Sequence, residues 1–186
     1  MSSSFRWLVM TSIFAAIFHV GLVCYYPVYK TEKTVEEIFK RRGSRQMNQI
    51  RHGTLRSAGT DIVARDNPDT LTSFAVYDVA EKPVKVHCVV PDSENYWSLS
   101  LFAWNTDNFF VVNDRTAKSK EFDLVIANAP NQYQKQGQEK VVISPTTRGV
   151  LIIRMIVTDR DAAEEISKLT EIQSKTFFDS RMGTEE

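Results

Sequence analysis

Twenty consecutive residues, Trp7 to Tyr26 (WLVMTSIFAAIFHVGLVCYY), carry no formal charge. As a helix rising 1.5 Å per residue they span roughly 30 Å, the thickness of a bilayer's hydrocarbon core. Trp7 at one end and Tyr25, Tyr26 and Tyr29 at the other stand where interfacial aromatic belts occur. A cleaved signal peptide is the rival reading. The apolar run exceeds a usual leader core, however, and no small-x-small site precedes Pro27. Leu22-Val23 before Cys24 also lacks the small residue of a lipoprotein signal. The segment therefore predicts an uncleaved, single-pass anchor in the inner (plasma) membrane, residues 1–29. His19 within it is an intramembrane ionisable group and so a functional candidate. A neutral imidazole satisfied near the interface is the plainer account.

Charge bears on orientation. Residues 1–65 hold ten Lys/Arg against four acids, leaving thirteen and nineteen in the remainder. Arg6 precedes the anchor, whereas Lys30, Lys33, Lys40, Arg41, Arg42 and Arg45 follow it. That bias favours a cytoplasmic domain, although long downstream domains translocate with less regard for charge. A basic stretch beside a membrane segment points to lipid headgroups, not to nucleic acid.

Beyond the anchor, Val35, Ile38 and Phe39 fall at i, i+3 and i+4, predicting a short amphipathic helix capped by Thr34. It opens a basic stretch, residues 30–59, whose later part from Gly43 to Gly59 is a connector or an irregular first edge. Short runs then follow at strand spacing: Ser73–Val79, Val84–Val90, Tyr96–Trp104, Phe109–Val112, Phe122–Asn128, Lys140–Ser144 and Gly149–Thr158. Glu81-Lys82-Pro83 and Pro91-Asp92-Ser93 supply turns, and Pro130–Gly137 reads as a loop. The pattern predicts a mainly β chain, an antiparallel β-sandwich of jelly-roll-like kind over residues 60–178. Asp159 is placed to cap a C-terminal helix striped by Ala162, Ile166, Leu169 and Ile172, with a fraying tail over 179–186.

The densest chemistry lies in Asn95–Arg115, NYWSLSLFAWNTDNFFVVNDR. Trp97, Leu99, Leu101 and Ala103 alternate with Tyr96, Ser98, Ser100 and Phe102, which assigns the first set to the core and the second to solvent or a partner. Asn105, Asp107 and Asn108 join two strands. Such residues suit a tight turn, and their oxygens and amides could also meet sugar hydroxyls. One acid is too few for a tight calcium site. Asn113, Asp114 and Arg115 close the second strand, where Arg115 could hold a carboxylate or phosphate through its planar fork. Arg154 interrupts VLIIRMIV and predicts a buried guanidinium needing a carboxylate or carbonyls, with Asp69, Asp78 and Asp114 as partners.

Catalytic and cofactor templates are missing from the sequence. His19, His52 and His87 are too far apart for a zinc motif, Cys24 and Cys88 form no CxxC, and there is no GxSxG, P-loop or GxGxxG. His87 falls on the outward face of its strand. The remaining enzymatic reading is an envelope hydrolase or modifying enzyme using the acids around Asn67–Asp69 and Asn113–Arg115, with Asp66 and His87 as further candidates.

Asn67-Pro68-Asp69-Thr70-Leu71, Tyr77-Asp78-Val79, Pro83-Val84 and the YWSLSLF…NTDNFFVVNDR block resemble the family named domain of unknown function 1254. Thr72 stands where longer members carry a tyrosine. The chain is most similar to a short, membrane-anchored branch found in α-proteobacteria. The resemblance implies a β-sandwich, an exported domain, and no catalytic residues to carry over. Longer members fuse this unit to a second domain, of unknown function 1214. A separate, membrane-anchored protein of that sister family is thus the implied partner, with envelope glycan as an alternative ligand. The expectation is a periplasmic, non-enzymatic binding or accessory module with neither cofactor nor metal.

Overall fold

The structure, a computed structural model, describes residues 2–43, 45–55, 67–92 and 95–179. Asp66 and the expected boundary at residue 60 lie outside the described residues, as does all but the first residue of the expected tail.

Helix α1 runs unbroken from Ser3 to Arg42. Ser2 caps its start by accepting from Phe5 N at 3.4 Å, and Gly43 ends it in the left-handed conformation that a glycine adopts without penalty. The anchor and the amphipathic helix expected as two elements are therefore one. Pro27 lies inside, where it removes one N–H, that facing the Val23 carbonyl. No glycine or second proline follows before Gly43, and Lys33–Glu36 (3.1 Å) and Arg41–Glu37 (2.5 Å) pair along the exposed side. Helix α1 is long and apolar enough to cross a membrane, with mean hydropathy 2.0 in its most apolar stretch.

Among the described residues, nine strands build two sheets. One has the order β1 (Arg51–His52), β2 (Thr70–Asp78), β8 (Arg148–Ile156), β4 (Trp97–Ala103), β5 (Asn108–Asn113). The other has the order β7 (Lys140–Ile143), β6 (Glu121–Ala127), β3 (Val84–Val89), β9 (Phe177–Asp179). All pairings are antiparallel except β6–β7, which is parallel. The seven expected strands occur. β1 and β9 are additions, and Asp179, assigned to the tail, is the last residue of β9, paired with Lys85.

Alternation dictates the core. Leu71, Ala75 and Tyr77 of β2, Trp97, Leu99 and Leu101 of β4, and Leu151, Ile153 and Met155 of β8 face Val86, Cys88, Leu124 and Ile126 of the other sheet. The five-stranded sheet is apolar on part of its outer face too. There Val35 and Phe39 of α1 pack on Val76 and Val150, ringed by Met47, Phe74, Phe102, Trp104 and Ile152. Burying one such side chain contributes about 1.5–3 kcal/mol. The same helix that carries the apolar span is thus docked on the sandwich.

Helix α2 (Ala163–Ser174) buries Leu169 and Gln173. Its N-cap is Ala162, and Asp159 does not cap it: the Asp159 carboxylate accepts from Asp161 N at 2.9 Å instead. Glu165 gathers the entry by accepting from Thr158 N (3.0 Å), Asp159 N (3.3 Å) and Asn95 Nδ2.

Candidate functional site

The polar residues singled out in the sequence divide between two turns at opposite ends of β5. At one end Asn105 Nδ2 donates to Asp107 Oδ2 at 2.7 Å, Ala103 N to Asp107 O at 2.8 Å, and Thr106 N to Ala103 O at 3.0 Å. Thr106 takes φ 75°, the left-handed region such a turn demands. With its amide suitably turned, Asn108 donates to the Leu101 and Phe110 carbonyls. At the other end Asn113 Oδ1 accepts from Arg115 N (3.1 Å), Thr116 N (3.0 Å) and Thr116 Oγ1 (2.9 Å). Six strand residues separate the two turns, roughly 20 Å at 3.4 Å each. They are not one site. Arg115 is exposed, whereas the Oδ1 atom of Asp114 is buried without a partner.

Arg154 departs from its expectation. It is exposed on the outer face of β8, because the period of two that sends Ile153 and Met155 into the core turns Arg154 outward. Its cross-strand neighbours are Thr72 and Ser98, not carboxylates. Asp69 lies 3.6 Å from Arg160 and Asp78 lies 3.7 Å from Arg148.

A cleft of about 520 Å³ opens on the side of the sandwich where β1 ends one sheet and β9 ends the other. Gln46, Met47, Asn48, Gln49, Ile50 and His52 form one wall; Thr176, Phe177 and Phe178 form the other. The first wall is clamped to β2 by Asn48, whose side chain donates to Asp78 O (3.0 Å) and accepts from Asp78 N (2.7 Å). Beside the cleft, Gln173 Nε2 lies 2.9 Å from Ser73 Oγ, which lies 2.9 Å from His52 Nδ1. Thr176 Oγ1 accepts from Val89 N at 3.1 Å, fixing the start of β9.

This serine–histidine contact is not a nucleophile with its base. Ser73 is wholly buried on the core face of β2, so no substrate carbonyl can reach its hydroxyl. The relay is structural: it ties edge strand β1 to α2. Withdrawal of the His52 ring from water lowers its pKa, opposed by a hydrogen bond to the Thr176 backbone. The proton inventory agrees. With Nδ1 unprotonated, the Ser73 hydroxyl donates to it while accepting from Gln173. A protonated ring would make Ser73 accept twice and strand its own proton.

A second polar cluster lies on the outer face of the four-stranded sheet. His87 Nδ1 is 2.9 Å from Asp123 Oδ1, directly across β3–β6. Lys85 Nζ reaches Asp179 Oδ2 at 3.1 Å and Asp123 Oδ2 at 3.8 Å. The Asp179 hydrogen bond raises the Lys85 pKa, more than burial lowers it. Phe177 connects this cluster to the cleft, its ring 5.4 Å from that of His87. His87 is outward-facing, as the alternation of β3 required. Among the described residues no group of three or more His, Cys, Asp or Glu side chains is placed to hold a metal ion.

Sequence reasoning passed over Gln173, Thr176 and the 46–50 segment. Gln173 is 100 residues from Ser73 in the chain, a separation that leaves no local pattern.

A family model described as "Protein of unknown function (DUF1254)" matches residues 47–178. Among solved structures, the VPA0106 protein from Vibrio parahaemolyticus superposes with a TM-score of 0.68 at 17% identity, over 84% of this chain and 36% of that one. That likeness is one of fold, and the chain spans little more than a third of that relative. An uncharacterized protein from Burkholderia cenocepacia gives 0.48 at 13% identity, over 68% of this chain and 36% of its own. None of the curated proteins compared matches the sequence.

Proposed function

Because the chain belongs to the DUF1254 family of proteins of unknown function, we propose that it is a membrane-tethered, periplasmic binding module without chemistry of its own. One observation carries this reading. Helix α1 joins an apolar span to a face docked on the sandwich without interruption, so the domain is held at a set height beside the bilayer. From Tyr26 to Val35 is about 14 Å along a helix axis. A tether that short and stiff suits a module presenting a surface to a neighbouring envelope component.

That component is a partner protein, with one of the sister family, domain of unknown function 1214, as the first candidate. Envelope glycan at the Asn105–Asn108 turn or at Arg115 is the alternative ligand. Copurification of the tagged chain in mild detergent is the test. A partner recovered stoichiometrically supports the module; neither a protein nor a glycan recovered across growth conditions contradicts it.

The His87–Asp123 pair favours a second reading, a hydrolase or modifying enzyme of the envelope. It predicts that His87→Ala abolishes a cellular phenotype while leaving folding and copurification intact. Unchanged function in that variant overturns it.

A further inference from the structure

The geometry points to strand addition at the open edge of the sandwich: the cleft between β1 and β9 takes an extended, uncharged segment of a partner protein. This deepens the binding-module reading and rests on it.

The main chain supplies the first reason. Gly53 N donates to Thr72 O at 2.9 Å, and Arg51 lies opposite Phe74. In an antiparallel ladder alternate residues point their N–H and C=O toward the partner strand. His52, between them, therefore turns both groups away from β2, and among the described residues neither has a main-chain partner. β9 in turn pairs with β3 and, among the described residues, ends its sheet. Two sheet edges thus face one cleft, and an unpaired edge is a template for another chain. Because β1 is two residues long, the incoming segment needs the cleft walls as well as the ladder.

The lining supplies the chemistry. Among the described residues that line it, none is Asp, Glu, Lys or Arg. Gln46 and Gln49 offer uncharged polar contacts, while Met47, Ile50, Phe177 and Phe178 offer apolar ones. A charged side chain would lose hydration there and gain no counter-charge. Phe177 is 49% exposed, an aromatic surface at the mouth with no burial of its own to explain it. The Gln173–Ser73–His52 relay holds β1 in register behind the cleft, so the edge is formed before anything binds.

The test uses the full chain in detergent micelles and an array of end-blocked hexapeptides alternating Val or Leu with Ser, Thr or Asn. Strand addition predicts saturable binding by a subset. N-methylation of alternate amides should weaken these about tenfold in one parity and scarcely in the other, since a segment paired with β1 turns only one parity toward that edge. Phe177→Asp and, independently, Gln49→Glu should each weaken binding by about tenfold or more, with the melting temperature checked in both. Equal loss in both parities, binding that survives both substitutions, or no binding peptide at all overturns the inference. So does a neutral oligosaccharide that binds in the peptides' place and is lost with the same two variants. A partner copurifying equally with Phe177→Asp, Gln49→Glu and wild type would overturn strand addition and leave the module standing. No partner with the wild-type chain would remove the module itself.

Discussion

Gly149 shows how tightly single residues are specified. It sits on β8 between Tyr77 and Ala103, and a Cβ there would lie 2.1 Å from the Tyr77 hydroxyl and 2.4 Å from the Phe102 carbonyl oxygen. That hydroxyl is itself committed, donating to Phe102 O (3.2 Å) with Ser144 Oγ at 3.0 Å. Burial raises its pKa to about 12, against the lowering effect of Ser144. Gly149→Ala should therefore cost about 3 kcal/mol in urea unfolding, and a cost under about 1 kcal/mol would show that the strands yield easily. His52 gives a second prediction. Its folded pKa lies below the unfolded value, so the unfolded chain takes up the proton first. The stability is present above about pH 6.5 and is lost as pH falls through the folded value. His52→Asn should flatten that part of the stability–pH curve. Glu139, held at about 2 chiefly by backbone hydrogen bonds, acts in a separate, more acid window. A slope between pH 7 and 5 identical in wild type and variant would contradict the assignment. Neither residue was legible in the sequence, because both depend on neighbours brought from elsewhere in the chain.

At the scale of elements the sequence was most informative where periodicity had room to repeat. β2, β4 and β8 each run seven to nine residues with a buried side chain at every second position, long enough for the period to repeat. β1 and β9, at two and three residues, are too short to show a period. They exist because longer neighbours offer an edge. Arg154 failed for a related reason: an apolar run around an arginine suggests burial, yet in a strand half of any run faces outward. An anchor ending at residue 29 and a cap at Thr34 implied two helices, whereas α1 runs through both and docks by Val35, Ile38 and Phe39. That docking is open to test. Phe39→Ala should free the end of α1 and speed trypsin cleavage at Lys40, Arg41 or Arg45 by about tenfold or more, with the sandwich still folded. Cleavage at the wild-type rate would mean that α1 is held by other contacts.

For the molecule as a whole, the β-sandwich and its family were readable from the strand spacing and the Asn95–Arg115 block, whereas the cleft between β1 and β9 was not. What that block supplies is two strands of one sheet joined by a self-satisfied turn. The function proposed here depends less on it than on the continuity of α1, which carries the apolar span and the face docked on the sandwich in one piece. Its central claim is that this piece presents the sandwich outside the cytoplasm. C-terminal fusions of the full chain to alkaline phosphatase and to a fluorescent protein that matures only in the cytoplasm test it directly. The account predicts phosphatase activity in membrane fractions and a dark fluorescent fusion; a fluorescent fusion with inactive phosphatase would contradict it.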